Sequence, residues 1–578
     1  MTKSPKKEYF GVVQDVSPNL TKVDDLVIYN GTTYQHPPLS ACKDSMKKRG
    51  LKQTSIVIVL VALPLLFLAV SLGWIIVPCI IRHEILKKAV ISPEVNPELY
   101  SAWIHPPVPV YLKVYLFNIS NPKEFQNGSK PKLLEMGPYI FRENRTKVNI
   151  HHDDATNDAI TYEEHITYHF EQRLSGNAKL EDKITIINVP FAAAAIKIAH
   201  DLPWPMNDLA QMILINYKES LFIEKTVEEA LFKGWKVPFL EKIEQDVGFT
   251  LIPSNEFGFF VGQNDTEQGP YTVSRGSEDK SSLGVILKFK NQSELDFWTK
   301  SSTCNQIQGT DGTIFSPFVQ KSTVLRLFNP ELCRSVYLTY TADTDFEGIR
   351  GYRFTAPASV MKDPTEGDEN RCFCIYDDDE KCLKQGALDL GPCREGAPIA
   401  MSTPHFLDAN AEYIENSGLV PHRHKHETFL DIEPTTGIIL QASKKIQVNL
   451  ILKRVNGISS MSRVPEMLLP LVWADECASL DAESKGKFQS ALFYLWLADF
   501  ISKWVLLAIA LIVSLLLITR KLRRKGVSLP PLFMSKKENS NVLSGTKGCE
   551  YKNSCVREDD TSEVFASQQV PLQENHSS

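Results

Sequence analysis

Alternating apolar and polar positions dominate the middle of this 578-residue chain, and two uncharged runs bracket it. In "ITYEEHITYHF", Ile160, Tyr162, Ile166, Tyr168 and Phe170 fall on one side of a two-residue repeat, the period of a strand with one buried face. "KIQVNLIL" from Lys445 repeats it with Ile446, Val448, Leu450 and Leu452, and "GVILKFK", "SVYLTY" and "GYRFTAP" are similar. Gly, Pro and Asn between these stretches predict turns, hence an antiparallel sheet. One region departs from the pattern: "PFAAAAIKIAH" opened by Pro190, "NDLAQMILINYKESLF" from Asn207 and "TVEEALFKG" from Thr226. These predict three consecutive helices over 190–234, the last begun by a Thr226/Glu229 capping box and stopped by Gly234. Helices inserted at one end of a sheet scaffold often carry binding surfaces.

Ile56 to Ile81 is an uncharged run of 26 residues, which at about 1.5 Å per residue reaches roughly 39 Å, enough to span a bilayer. It starts too far into the chain for a cleaved signal peptide and predicts a signal anchor. The second run, Trp504 to Thr519, has 16 residues and must borrow from "ALFYLWLADFISK" before it. Asp499 and Lys503 would then pair one helical turn apart near the interface. Lys47, Lys48, Arg49 and Lys52 precede the first run, and Arg520, Lys521, Arg523, Arg524 and Lys525 follow the second. Basic flanks mark the cytosolic side. The expected organisation is a cytosolic tail over 1–55, a span over 56–81, an ectodomain over 82–495, a span over 496–519 and a cytosolic tail over 520–578. Both tails are polar and aperiodic, the composition of disorder.

Charge adds little: a net −6 gives no sign of nucleic-acid binding. The cysteines add more. Cys304, Cys333, Cys372, Cys374, Cys382 and Cys393 cluster within ninety residues of the ectodomain, where an oxidising compartment favours disulfides over metal thiolates. Six cysteines allow fifteen connectivities. Cys477 is left over. Asn118, Asn127, Asn144, Asn264 and Asn291 each begin an N-x-S/T triplet in the ectodomain, while Asn19, Asn30 and Asn575 carry it on the cytosolic side.

Candidate chemistry is sparse. His165 and His169 lie on a strand, where residues four apart are about 13 Å from each other and share no metal. His151, His152, Asp153 and Asp154 are expected in a solvated loop. "PHRHKHE" places His422, His424 and His426 on alternate positions of an expected surface loop, with a pH sensor as the rival reading. Lys218 and Lys225 would share a face of a continuous second helix as an anion site, against the reading of a solvated face balanced by Glu219, Glu224, Glu228 and Glu229. Neither a nucleophile motif nor a phosphate-binding glycine loop occurs, which favours a receptor over an enzyme. No cofactor or metal is expected.

Several blocks in fixed order, "EMGPYIF", "GTDGTIFSPF", "LCRSVY", "CFC", "TPHFLDA" and "FLDIEPTTGIILQ", give the chain a resemblance to the class B scavenger receptor family from about Pro64 to Thr519. The resemblance implies a mixed α/β membrane protein: two transmembrane helices flanking a large ectodomain with an antiparallel β-barrel core, an apical helical bundle and an apolar tunnel to the bilayer. It implies pairing of Cys304 with Cys372, Cys333 with Cys393 and Cys374 with Cys382. It also implies lipid contact at Lys218 and an acidic residue, Glu395, near the ligand entrance. The expected function is a plasma-membrane receptor that captures lipids such as fatty acids, sterol esters or carotenoids, or lipoprotein or protein ligands, and transfers lipid. The alternative is an endosomal or lysosomal trafficking receptor that releases a protein cargo on acidification.

Overall fold

The computed structural model describes residues 58–152, 158–248, 255–299, 303–367 and 369–524. The expected N-terminal tail, the expected C-terminal tail beyond residue 524, Asn19, Asn30, Asn575, Asp153 and Asp154 lie outside those residues. Among the described residues two helices are long and apolar enough to cross a membrane, Leu60–Lys88 and Ala482–Arg520. They touch where Gly73 meets the other helix: a Cβ there would stand 2.5 Å from the Ser502 carbonyl oxygen, so glycine is what allows the approach. Trp74 and Trp504 meet edge to face beside it, 5.8 Å between centroids. Lys503 pairs with Asp499 at 2.7 Å. The second helix starts well before its apolar run, where Asp481 caps it by accepting from the Ser484 N–H.

Between them, strands pair antiparallel in the order Leu325–Asn329, Arg334–Phe346, Ile349–Thr355, Phe429–Ile432, Ile439–Leu452, Met467–Ser479, Val110–Ile119, Leu133–His152, Ala159–Phe170, Thr266–Ser274 and Ile286–Phe289. Thr310 bridges Val285 on one edge and Leu327 on the other, so the sheet nearly closes into a barrel. Closure removes the unpaired edges that a long strand would otherwise expose.

Alternation along the strands places Ile160, Tyr162 and Ile166 inside. The strand Ile439–Leu452 behaves differently from the expected polar outer face. Gln447 and Asn449 on it are fully buried. They bond to each other at 2.8 Å and to Ser402 and Ala400, and the His405 N–H donates to Gln447. Burial of those amides is tolerable because their polar atoms are paired.

The helical region caps the barrel end remote from the spanning helices. Val189–Asp201 is capped by Asn188. The second helix, Met206–Asn216, is shorter than expected. Lys218 takes a left-handed φ of 51°, and Phe222–Thr226 becomes a strand paired with Lys183–Ile187. Phe222 and Ile223 pack on the main core from that strand, a burial that a longer helix would forgo. The Thr226/Glu229 capping box is present: the Glu229 N–H donates to Thr226 Oγ1 at 3.2 Å and the Thr226 N–H to Glu229 Oε2 at 3.0 Å. Gly234, at φ 73°, ends that turn. A further helix, Pro238–Val247, buries Phe239, Leu240 and Ile243. These helices join Leu112, Val114, Phe141, Leu450 and Leu452 in one apolar cluster.

Candidate functional site: the barrel interior and its entrance

Register fixes which side chains face inward. Leu112 lies opposite Phe141 on one neighbouring strand and Glu476 on the other, and Lys444 lies opposite Glu476. The remote half of the interior is apolar, lined by Leu112, Val114, Phe141 and Ala474 beneath the helices. The membrane-side half holds a second apolar cluster of Ile91, Trp103, Ile160, Tyr162, Tyr271 and Phe328. Ionised groups lie between the two. Arg145 contacts Glu143, Glu164 at 3.2 Å and Glu476 at 2.7 Å. Lys444 contacts Glu331 at 2.9 Å and Glu476 at 2.8 Å. Lys147 sits 3.8 Å from both Glu164 and Asp311, against the rings of Trp103 and Tyr162, and the Tyr162 hydroxyl donates to Asp311.

Burial disfavours the Arg145 charge, but Glu476, Glu164 and Glu143 outweigh it and hold the guanidinium well above its ordinary value. Burial likewise opposes ionised Glu476, yet Arg145 and Lys444 keep it below the usual carboxylate range. For Glu143 burial wins and its carboxyl is raised. The sequence held a signal for this network: Glu164 occupies the inward phase of the Ile160 alternation.

At the helical end the expected ligand residues separate. Lys218 is exposed just past its helix. Lys225 lies on the strand Phe222–Thr226, 3.5 Å from Glu229 and over the Trp235 ring, so the two lysines share no helix face. Glu395 is exposed with a left-handed φ of 52°, and its backbone carbonyl accepts from Lys197 at 2.6 Å. Lys197 is itself buried; burial lowers its pKa against the pull of Asp201 and Glu395. A lone lysine in an alanine-rich apolar helix was the available sequence signal for that tie.

The outer face of the barrel carries an open groove of about 510 Å³, lined by Lys113, Lys445, Asp475, Cys477, Trp473 and His426 among others. His426 belongs to a short helical turn, Arg423–His426, and is buried, which corrects the expected surface loop at that position, while His422 and His424 are exposed as expected. His405 bonds Glu135 at 2.6 Å and the Val420 carbonyl at 3.0 Å, and its ring centroid lies 4.1 Å from that of His426. His426 Nδ1 accepts from the His422 N–H, which requires that nitrogen unprotonated. Burial first, then the charge of His405, pushes His426 down to about 4 against Glu135, with His422 and Lys425 adding to the lowering. Because the folded pKa is depressed, the folded state binds fewer protons. The associated stability is complete above the unfolded value near 6.5 and is lost as pH falls toward 4, roughly 3 kcal/mol in all. Melting of the full chain at pH 7.5 and 4.5 should show that loss, and His426→Asn, which keeps an acceptor, should flatten it. An unchanged pH slope in the variant would rule His426 out.

The disulfides are Cys304–Cys372, Cys333–Cys393 and Cys374–Cys382. Cys79 and Cys477 are free among the described residues, which contain no grouping of His, Cys, Asp and Glu suited to a metal. Asn127, Asn144, Asn264 and Asn291 are exposed, and Asn118 is half-buried with its amide oxygen accepting from the Thr185 N–H.

Residues 59–521 match the model of the CD36 family. Scavenger receptor class B member 1 from Mus musculus is 34% identical over 464 residues, 80% of this chain and 88% of that protein. The same protein from Rattus norvegicus is 33% identical over 450 residues, 78% of this chain and 86% of its own length. Lysosome membrane protein 2 from Mus musculus is 33% identical over 398 residues, 68% of this chain and 80% of its own length.

Proposed function

Because the chain belongs to the CD36 family of class B scavenger receptors, we propose that it captures lipid or lipoprotein at the helical end and passes lipid through the barrel to the bilayer. The observation that carries this reading is the apolar lining. It runs from the helices along Leu112, Val114 and Ala474 and resumes at Trp103 and Ile91, just past the first spanning helix. Each methylene kept from water along such a path is worth roughly 0.8 kcal/mol. Lys218, exposed at the entrance, contacts the anionic head groups of a donor surface, and Glu395 lies at the rim. The protein resides in the plasma membrane with both tails in the cytosol, and its exposed sequons are glycosylated.

Separating capture from transfer tests this. Ala474 faces inward between Val114 and Ile446 and is only half-buried, so the wall has room there. Ala474→Trp should leave the lipid bound to cells unchanged and cut delivery into the membrane by an order of magnitude. Delivery at the normal rate would instead make the protein a docking receptor.

A further inference from the structure

The inward positions of four strands change character at one level. Along Leu133–His152 they run Tyr139, Phe141, then Glu143, Arg145 and Lys147, with Ile150 beyond. Along Ala159–Phe170 Glu164 separates Tyr162 from Ile166. Lys444 follows Ala442 on Ile439–Leu452, and Glu476 follows Ala474 on Met467–Ser479. A charged belt therefore interrupts the apolar wall partway down.

We propose that this belt is a head-group filter: it passes lipids whose polar end is an uncharged hydrogen-bond donor, such as a long-chain alcohol or a sterol, and rejects those ending in a carboxylate or phosphate. The proposal rests on the transfer reading for the presence of lipid in the barrel, and it adds which lipids.

Five carboxylates, Glu143, Glu164, Asp311, Glu331 and Glu476, face three cations, Arg145, Lys147 and Lys444. Even with Glu143 protonated, four negative charges oppose three positive. The accessible members tilt the same way. Side-chain exposure is 50% for Glu331, 34% for Lys444, 21% for Glu476, 20% for Arg145 and 18% for Asp311, three carboxylates to two cations. Both of those cations already touch at least two carboxylates. An incoming carboxylate must therefore displace one of them or stop unpaired among like charges, and either is costly away from bulk water.

A hydroxyl meets the opposite situation. Each carboxylate offers about four acceptor positions, and salt bridges leave several of them open on Glu331 and Glu476. Glu143 supplies a second, independent mark: its side chain is 1% exposed, and Oε2 has no hydrogen-bond partner among the described residues. A buried carboxyl oxygen without a partner is an open place for a donated hydrogen bond.

Oleate and oleyl alcohol share one apolar body and differ at the head, so their ratio isolates the belt. With the full chain in lipid nanodiscs, competition against radiolabelled oleyl alcohol should show the alcohol bound about tenfold more tightly than oleate at pH 7.5. Glu331→Gln should narrow that ratio about fivefold, and Glu331→Lys should abolish or invert it, the scale expected for one partly exposed charge at close range. Glu331 lies in the turn between Leu325–Asn329 and Arg334–Phe346, and its side chain is half exposed; if Glu331→Lys fails to fold, Asp311→Asn supplies a second narrowing variant. Equal binding of the two lipids by the unaltered chain, or a ratio that none of the variants moves, overturns the filter. Delivery of the same two lipids into cells reports separately: selective binding without delivery overturns the transfer reading and leaves the filter standing, and delivery without selectivity does the reverse. Binding of neither lipid overturns both.

Discussion

Replacing Arg145 with methionine is expected to destabilise the ectodomain by about 3 to 5 kcal/mol, the usual cost of breaking a buried ion pair from one side. The guanidinium touches Glu143, Glu164 and Glu476, so its loss leaves three carboxylates facing one another with Lys147 and Lys444 as the remaining cations. Lysine should not rescue the site, since a single ammonium cannot reach three carboxylates in the planar fork that arginine presents. Adding Glu143→Gln and Glu476→Gln to Arg145→Met should recover most of the loss, because the penalty comes from stranded charge. In a chain of this size the single substitution should lower the melting midpoint of the detergent-solubilised protein by roughly 5 °C. A midpoint that does not move would mean that water already solvates the network, and the belt would lose its rigidity as a filter.

Removing the Cys333–Cys393 bridge should cost roughly 4 kcal/mol, and removing Cys374–Cys382 only about 2.5. The difference follows from the chain closed by each, sequence separations of 60 and 8. The longer bridge also ties the turn after Leu325–Asn329 to the Cys393–Gly396 turn, where Lys197 reaches the Glu395 carbonyl, so the helical cap and the Glu331 corner loosen together. Paired serine substitutions, read as the fraction reaching the cell surface with mature glycans and as melting midpoint, should rank in that order. The reverse order would show that the short bridge holds a folding intermediate or a local structure worth more than its loop entropy.

Local periodicity made much of the architecture legible. The alternation at Ile160, the capping box at Thr226 and the two apolar runs each involve neighbours in sequence, and each has its counterpart in the structure. The misreadings share the opposite property. The helix expected to continue through Lys218 stops because Phe222 and Ile223 gain a strand partner in Lys183–Ile187, and nothing within the helix itself announces that partner. His426 is buried by His405, Glu135 and Trp473, residues that are mostly distant in sequence, so three histidines on alternate positions resembled a solvated loop. Gln447 and Asn449 fit an outward polar phase and are enclosed by a separate segment around Ser402. The site was less legible than the fold. Lys218 was singled out by its charge as well as by resemblance and Glu395 by resemblance alone, whereas Arg145, Lys147, Glu331, Lys444 and Glu476 become a unit only when four separated segments meet.

The contact at Gly73 bears on how the ectodomain could be handled outside a membrane. Because no side chain separates that helix from Ser502, the two ends of the ectodomain leave it beside one another and are held by a clasp built into the spanning segments. A water-soluble version cut near Lys88 and Ala482 would keep the barrel strands and lose the clasp, freeing both ends to splay. A short covalent tether or a grafted helical pair at those ends should restore the geometry, and the tethered form is the one suited to binding measurements on an isolated ectodomain.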